Sequence, residues 1–482
     1  MTDLEKKHAS SESEMGTKVE QLKESEVPFV PPTKDEERRV IRKLDFRLLP
    51  LVFVLYSLAV LDRSNLGNAK LAGLTESINL EGYRYNWLGT IFYIAYILSQ
   101  WLLIGWKQFK PHNWCAAVVL FWGFVATIQA TVDSWAGLMT CRFFLGIAEA
   151  CFGPGVPLYL TSGWFSPGRL HLRSSDGDVY GGILAYGITQ IKGSLAPWKI
   201  LFLIEGLPTC FVALAAWFFL PDGILQAKFL TEREKEVALH FVARNQKLDI
   251  GKQQGIRVKE LLAGIRDPKS FLPGLMYFGC NVSFASLPLF VPTIIKGLGH
   301  WTSAQSNGLS APPYALCFFM IIILCTLSDR CKVRGPFVAV GGILGFIGFV
   351  MQATSKNIGV RYAGIFFSVN IFASVALLLA WVSNIHAAES RRAGGFTVLA
   401  TLGQCGPLLG TNVFPATEAP YYHKGLWISA AMCLMVASVA CILSLWLIWE
   451  NKKMDKEDVP RVMELEDSAQ GVDENVKRRY VW

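Results

Sequence analysis

The sequence predicts an all-α integral membrane protein with twelve transmembrane helices arranged as two bundles of six. Of its 482 residues, 52% are hydrophobic and only 17% are charged, whereas a soluble chain of this length normally carries more surface charge. Apolar runs recur along most of the chain, and most approach the roughly 20 residues that a membrane-spanning helix needs. A long polar stretch, Pro221 to Asp267, separates the first six runs from the last six.

The order of the apolar runs gives the order of the predicted helices. The residues before the first run are polar and lack the apolar segment of a signal peptide, so the first run must itself act as the signal for insertion. The predicted spans lie near residues 48–70, 84–106, 114–132, 136–164, 176–193, 198–220, 271–295, 309–327, 336–353, 360–385, 393–415 and 426–449.

The fifth predicted span is unusually short. Asp176 and Asp178 stand where lipid-facing residues are expected, and the apolar remainder runs only from Val179 to Ile191. About 13 residues of helix rise about 20 Å, whereas the hydrocarbon core is about 30 Å thick. We therefore expect helix 5, around Ser174–Gly193, to be shortened at one end, or this stretch to come from a variant or faulty reading of the gene.

The distribution of basic residues predicts the orientation. If both termini are cytoplasmic, the inner loops hold the excess of Lys and Arg, as the positive-inside rule requires. A nucleic-acid-binding surface does not explain the charge of +8, because such a patch would not alternate with hydrophobic runs. We expect a multi-pass monomer in the lipid bilayer of the plasma membrane, with a disordered cytoplasmic tail, a six-helix bundle, a cytoplasmic central loop, a second bundle and a second cytoplasmic tail over residues 1–44, 45–220, 221–270, 271–450 and 451–482.

The central loop contains one predicted helix. In "LTEREKEVALHFVARN", Thr231 is the expected N-cap and Glu234 completes a capping box. Apolar residues then recur at helical spacing, which is typical of an amphipathic helix lying on the inner membrane face. A plain solvated linker helix explains the same pattern.

The cysteines and histidines point to no cofactor. The 11 cysteines lie singly, mostly inside apolar runs, and no CxxC pair occurs. They are expected to be free thiols packed as small hydrophobic residues. The seven histidines lack metal-ligand spacing, so we expect neither a metal site nor another cofactor.

Ionisable residues inside predicted spans mark the candidate site. Asp62 and Arg63 lie in the first span, and Arg142 and Glu149 in the fourth, with Glu205 in the sixth. Each such charge costs about 2.5–3.5 kcal/mol on insertion scales and should face a cavity or a partner.

Helical geometry then predicts how these charges are directed. Arg142 and Glu149 are seven residues apart, so they share a helix face about 10 Å apart along the axis. Asp62 and Arg63 diverge by about 100° and cannot share one partner. Two interpretations stay open. The four charges form a static ion-pair network that fixes helix packing, or the acids carry protons and the arginines bind an anion.

Several motifs carry a family resemblance. "LDRSNLGNA", "RFFLGIAEACFGPG", "GGILAYGI" and "FLIEG" resemble the anion:cation symporter branch of the major facilitator superfamily, and the fungal members related to allantoate permease are the most similar. The resemblance runs from about Asp45 to Trp449 and implies two six-helix bundles around a central cavity. It also implies transport of organic acids such as allantoate, nicotinate, pantothenate or biotin. The family has a longer apolar stretch at the fifth span.

The resemblance implies roles for the buried charges. Asp62 and Glu149 match the acids linked to proton coupling, and Arg142 matches the arginine that organises the coupling network. Arg63 matches the arginine that contacts the substrate carboxylate. Glu205 lies in a family motif, but no role is carried over. Polar residues of the seventh, tenth and eleventh spans are candidates for the other cavity wall or for simple helix packing; they are Asn281, Trp381, Ser383, Asn384 and Asn412.

A loop motif of the superfamily also has a counterpart. "LSDRCKVRG" lies between the eighth and ninth spans, where the superfamily carries a conformational latch built from an ion pair and helix-end contacts. The resemblance assigns this latch to Asp329, Arg330 and Arg334. Ordinary positive charge of an inner loop is the other explanation. Glycines in the ninth span and Gly406 and Gly410 in the eleventh are expected to allow close helix packing.

We therefore expect a secondary transporter, and not an enzyme, that imports a small organic anion together with protons. A proton antiporter that exports a secondary metabolite or drug is the alternative within transport. A nutrient sensor without transport activity is an alternative of another class, and the short fifth span is compatible with it. An integral-membrane enzyme is disfavoured because we find no catalytic constellation in the sequence.

Overall fold

The computed structural model describes residues 32–153, 155–156, 159, 195–246, 258–299, 301–385 and 389–467. Over these ranges the regular structure is helical, without any strand, which confirms the predicted all-α class. The predicted fifth span lies outside the described residues, and so does the proposed shortening around Ser174–Gly193.

Five long helices form the described part of the first half. A π-helical turn over Lys70–Leu74 and a short helix over Thr75–Ser77 extend the first of them, and a 3₁₀ segment over Gln100–Ile104 follows the second. The helices are α1 (Lys34–Ala69), α2 (Arg84–Leu98), α3 (Pro111–Ile128), α4 (Trp135–Phe152) and α5 (Pro197–Phe219).

The predicted central loop contains two helices, α6 (Glu232–Gln246) and α7 (Val258–Arg266). Thr231 and Glu234 form the predicted capping box, with each backbone N–H donating to the other side chain. The helices of the second half are α8 (Pro268–Leu298), α9 (Ser303–Cys331), α10 (Gly335–Thr354), α11 (Ile358–Ser368), α12 (Ile371–Ile385), α13 (Glu389–Gly410) and α14 (His423–Asp467).

Nine stretches of the described residues are long and apolar enough to cross a membrane. One of them combines α11 and α12 and corresponds to the tenth predicted span. Two further helices, α2 and α13, occupy the second and eleventh predicted spans; α2 is only 15 residues long, and α13 begins with charged residues. Each predicted span within the described ranges is therefore helical.

Helix continues into both predicted tails, so the first of them is not disordered over its whole predicted length. The first helix begins at Lys34, where Thr33 and Glu36 form a capping box, so the predicted disordered tail over 1–44 ends too late. At the other end, α14 continues to Asp467, beyond the predicted bundle boundary at residue 450. Mixed charge in both segments hid the helical periodicity.

Small residues bring the helices of the second half close together. A Cβ atom on Gly406 would collide with the carbonyl oxygen of Phe278, and one on Gly410 would collide with that of Val282. The predicted GxxxG pair therefore lies where the backbones of α13 and α8 touch, as expected for small residues at a helix interface.

Contacts between helix ends define two faces of the molecule. At the start of α3, His112 Nδ1 lies 2.6 Å from Oδ1 of Asp222, which follows α5. At the other end of α5, Trp198 Nε1 donates to Ser77 Oγ, just after α1, at 3.1 Å. We call the end where α1 begins the terminal face and the end where α1 finishes the distal face.

Candidate functional site

A short ion pair joins the two helices that carry the predicted charges. Arg63 Nε on α1 lies 2.6 Å from Glu149 Oε2 on α4. The Glu149 side chain is 1% exposed and that of Arg63 is 22% exposed, so the acid is buried behind the arginine. The Arg63 guanidinium also lies over the rings of Phe92 and Tyr96, at 5.7 and 5.5 Å from their centroids.

Asp62 points to a different helix from its neighbour, as the angle of about 100° between successive residues predicts. Its carboxylate accepts a hydrogen bond from Trp122 Nε1 on α3 at 2.5 Å, and the residue is buried. The two adjacent charges of α1 therefore serve separate partners.

Arg142 lies two turns before Glu149 on α4, and few of its side-chain nitrogen atoms form hydrogen bonds with the described residues. One amino group, Nη1, lies 3.4 Å from the backbone carbonyl of Asp62, and the guanidinium lies 5.7 Å from the centroid of the Phe202 ring on α5. Its Nε and Nη2 atoms are buried and have no hydrogen-bond partner in the ranges that the structure describes.

Three buried carboxylate oxygens of α4 and α5 also lack a hydrogen-bond partner among the described residues. They are Oε1 of Glu149 and both oxygens of Glu205. A buried unsatisfied polar group costs about 1–3 kcal/mol, and a charged one costs more. Such an arrangement is expected to change its pairing when a proton or an anion enters.

A pocket opens beside the two arginines. Its polar wall consists of Arg63 and Arg142. The rest of its wall is aromatic and aliphatic, from Phe92, Tyr93, Phe284 and neighbouring residues of α1, α2 and α8. A chamber of this kind, apolar with two fixed positive groups, suits a small organic anion.

Hydrogen bonds from α2 to the second half close the distal side of this cavity. Asn86 Nδ2 donates to the backbone carbonyl of Thr411 at the end of α13, at 2.8 Å. Tyr85 Oη lies 3.3 Å from the backbone carbonyl of Leu289 on α8. These side chains are buried, so they connect the two halves and also close the distal side of the pocket to solvent.

One turn further along α2, Thr90 extends the same contact. Its hydroxyl lies 2.9 Å from Thr411 Oγ1 and accepts a hydrogen bond from Asn412 Nδ2 at 2.9 Å. Gly89 allows this approach, because a Cβ atom there would lie only 2.8 Å from Thr411 Cγ2. The two halves are therefore closely packed against each other at the distal face.

The sequence profile of the Major Facilitator Superfamily matches residues 52–411. The chain belongs to the major facilitator superfamily. It is thus an integral multi-pass membrane transporter and not an enzyme, as predicted, and the resemblance read from the motifs is confirmed at the level of the superfamily.

Relatives and solved structures agree with this assignment. The chain is 30% identical over 416 residues to the high-affinity nicotinic acid transporter of Saccharomyces cerevisiae, covering 83% of this chain and 76% of that protein. An uncharacterized transporter of Schizosaccharomyces pombe is 29% identical over 436 residues, covering 88% of this chain and 89% of that protein.

Among solved structures, a bacterial homologue of the human lysosomal transporter Spinster, in an inward-facing unoccupied conformation, superposes with a TM-score of 0.62. It is 14% identical and the match covers 86% of this chain and 97% of that one. The xylose transporter XylE of E. coli, in a partially occluded inward-open conformation, also gives a TM-score of 0.62 at 14% identity, covering 82% and 96%. These similarities show the superfamily fold.

Within this superfamily fold, the predicted residues of the second half occupy different places. Asn281 on α8 is buried and donates to the backbone carbonyl of Gly403 at 3.0 Å. Trp381 is fully buried, and its indole would lie 2.9 Å from a Cβ atom on Gly335. Asn412 lies in the distal contact. The side chains of Ser383 and Asn384 lie outside the described part of the structure.

The predicted latch of the superfamily has an ion pair at its centre. Arg334 Nη2 lies 2.5 Å from Asp329 Oδ1, and Arg334 Nη1 donates to Ser328 Oγ at 3.2 Å. These bonds link the end of α9 to the start of α10. Arg330 is exposed. The latch itself stays a prediction.

Sequence reasoning missed Trp122, the partner of Asp62, and the distal contact made by α2. Trp122 lies in an apolar run, where an indole is ordinarily part of the packing. Asn86 and Thr90 did carry a signal, because they are four residues apart and so place two polar side chains on one helix face.

Proposed function

We propose that this transporter imports a small organic anion together with protons, by alternating access at the plasma membrane, with the terminal face in the cytoplasm. The observation that carries the proposal is the ion pair of Arg63 with buried Glu149 at the wall of a cavity that Arg142 also lines. The same arginine is thus available to the cavity and to a carboxylate that can take up a proton.

The substrate carboxylate and Glu149 compete for Arg63, and this competition couples binding of the anion to binding of the proton. A substrate carboxylate that reaches Arg63 can form charge-assisted hydrogen bonds there, and Glu149 must then give up its share of that guanidinium. A buried carboxylate without a counter-charge is strongly disfavoured, so Glu149 takes up a proton when the anion binds. Binding of the anion and binding of the proton therefore favour each other.

The energetics favour this pairing of anion and proton. Bringing one negative charge into a cell with a negative interior costs about 2.3 kcal/mol per 100 mV. A proton that moves with the anion removes this cost, and each pH unit across the membrane contributes about 1.4 kcal/mol more. An importer of anions gains from an acid beside its arginine.

The closed distal face supports the proposed orientation. If the terminal face is cytoplasmic, the contacts of Tyr85, Asn86 and Thr90 with the second half close the exterior side of the cavity. The conformation is then closed to the exterior, as in the half of the transport cycle in which the substrate leaves toward the cytoplasm.

The chemistry of the cavity restricts the substrate. Two arginines favour a carboxylate, and the rings of Phe92, Tyr93 and Phe284 favour a flat or apolar body of modest size. One of the relatives is a nicotinic acid transporter, and nicotinic acid is a substrate of this kind. A vitamin-like or allantoate-like monocarboxylate is the class that we propose.

Uptake of labelled acids tests the proposal. Nicotinate, allantoate, pantothenate and biotin are offered to cells that lack their own carriers for these acids, at two external pH values. We expect one of them to accumulate above the empty-vector control, faster at acidic pH, and to cease accumulating when a protonophore removes the gradient. Reduced cell content of an acid relative to the control would instead show export.

A further inference from the structure

The role of Glu205 is left open by the coupling of Arg63 and Glu149. It lies in the middle of α5, is 2% exposed, and has no hydrogen-bond partner on either carboxylate oxygen among the described residues. Its backbone carbonyl, by contrast, accepts a hydrogen bond from Thr209 at 2.8 Å. Within the described part of the chain, no polar contact therefore explains this buried side chain as packing.

The charges that act on Glu205 come from two helices. Arg142 on α4 lies 5.7 Å from the ring centroid of Phe202, one turn before Glu205 on α5, and its Nη1 lies 3.4 Å from the backbone carbonyl of Asp62 on α1. The neighbouring helix α3 presents Thr127, which lies against Gly206.

The number of charges in this cluster does not balance. Among the residues that the structure describes, Asp62, Glu149 and Glu205 supply three carboxyl groups, whereas Arg63 and Arg142 supply two guanidinium groups. Arg63 already pairs with Glu149 at 2.6 Å. One guanidinium, that of Arg142, is left for the other two acids, and a buried carboxylate without a counter-charge takes up a proton.

We propose that Asp62, Arg142 and Glu205 form a proton-holding triad, in which the two acids share one proton and Arg142 pairs with whichever of them is ionised. In the described part of the chain, Nε and Nη2 of Arg142 and both carboxylate oxygens of Glu205 have no hydrogen-bond partner, so donors and acceptors are available on both sides for this pairing. With one proton present, the triad is electrically neutral.

A transfer within the triad conserves charge at every step. When the proton leaves Glu205 for Asp62, Glu205 becomes the carboxylate and Arg142 pairs with it, while the protonated Asp62 keeps its contact with Trp122. The reverse step returns the proton to Glu205. The triad thus offers a second proton site, separate from Glu149 and set back from the cavity wall.

This inference rests on the proposed proton coupling for its use in transport, but its test requires no substrate. The purified full-length protein is placed in lipid vesicles at neutral pH, and the infrared absorption of protonated carboxyl groups is recorded. We expect one protonated carboxyl in the wild type. We also expect Glu205→Gln and Asp62→Asn each to abolish its band, because either change leaves Arg142 with a single acid that is ionised.

Controls separate this result from misfolding. Glu418→Gln, at an acid 3.5 Å from Lys424 on the distal side, should leave the band unchanged. Glu205→Asp should restore a protonated carboxyl that Glu205→Gln lacks, and the unfolding midpoint reports whether each variant is folded.

Two outcomes overturn the inference. A band that survives in Asp62→Asn means that Glu205 holds its own proton without sharing it. The absence of a band in the wild type means that both acids are ionised. Failure to find a transported acid in the uptake experiment leaves these spectra unaffected, so the two proposals fail separately.

Discussion

Replacement of Thr90 by valine should open the distal face. The hydroxyl of Thr90 accepts a hydrogen bond from Asn412 Nδ2 at 2.9 Å and lies 2.9 Å from Thr411 Oγ1. Both partners belong to the end of α13, in the other half of the molecule. Valine has nearly the same shape, so Thr90→Val removes the polar contacts between the halves together with one bond inside α2, from Thr90 Oγ1 to the Asn86 carbonyl at 3.0 Å.

The size of the effect follows from the number of bonds lost. A hydrogen bond contributes about 0.5–1.5 kcal/mol net, so two of them favour the distally closed conformation by about 1–3 kcal/mol. This range corresponds to a change of about 5-fold to 150-fold in the ratio of open to closed molecules. The open state has no such contacts, so the whole difference acts on that equilibrium.

Distances between spin labels measure this equilibrium. Labels are attached to cysteines at Glu81 and Lys424, two exposed positions on the distal side of the two halves. The exposed native cysteines are first replaced by serine; they are Cys331, Cys405 and Cys441. We expect the fraction of long distances in the distribution to rise at least about 5-fold in Thr90→Val.

Thr140→Val is the matched control. Its hydroxyl donates only to the carbonyl of Ala136 within α4, at 2.9 Å, and the residue is exposed. The same chemical change there should leave the distances as in the wild type. An unchanged distribution in Thr90→Val, or an equal change in both variants, would refute the idea that these bonds hold the distal face closed.

Three further changes give distinct results. Arg63→Lys should raise the half-saturation concentration for uptake about tenfold to hundredfold, because it removes charge-assisted hydrogen bonds of about 1.5–3 kcal/mol. Gly406→Ala should lower the unfolding midpoint, because its Cβ collides with the Phe278 carbonyl and overpacking costs about 1–3 kcal/mol. The hydrogen bonds of Glu234 with Lys43 and Thr231 hold its pKa below the usual range. They stabilise α6 above the ordinary Glu pKa of about 4.3, and the protection factors of the α6 amides, which are corrected for the intrinsic exchange rate at each pH, should decrease as the pH falls through the lowered value.

Each of these changes has a control. For Gly406, the control is Gly223→Ala, where the nearest atom to a new Cβ is the flexible end of Gln226 at 3.2 Å; equal midpoints in the two variants would contradict the packing argument. For α6, Glu234→Gln should lower the protection factors of the α6 amides at neutral pH to those that the wild type has in acid. The corresponding decrease in the free energy of opening of α6 is less than about 1 kcal/mol. For Arg63, an unchanged half-saturation concentration in Arg63→Lys would exclude direct anion contact.

The helices could be predicted because their determinants are local. Apolar runs of the right length place most of them, and the capping box of Thr231 and Glu234 is confirmed where the sequence places it. The boundaries failed where charge and helix coincide. Lys34 begins a helix that continues directly into the first apolar run, and hydropathy alone does not detect such an extension.

The site could be predicted only in part, because partners come from distant parts of the chain. Helix geometry correctly separates Asp62 from Arg63, but it cannot say that Arg63 meets Glu149 and that Asp62 meets Trp122. Asn412 was assigned to the substrate, yet its amide joins the two halves at Thr90. A polar residue in an apolar run signals a buried partner without indicating whether that partner is a ligand or another helix.

The central claim is that Glu149 couples the proton to the anion through Arg63. The most direct test is uptake by Glu149→Gln in vesicles with an imposed pH gradient, compared with exchange of labelled for unlabelled acid without a gradient. The amide keeps the shape of the side chain but cannot bind or release a proton. We predict that accumulation driven by the gradient disappears while exchange continues. Normal accumulation in Glu149→Gln would contradict the claim.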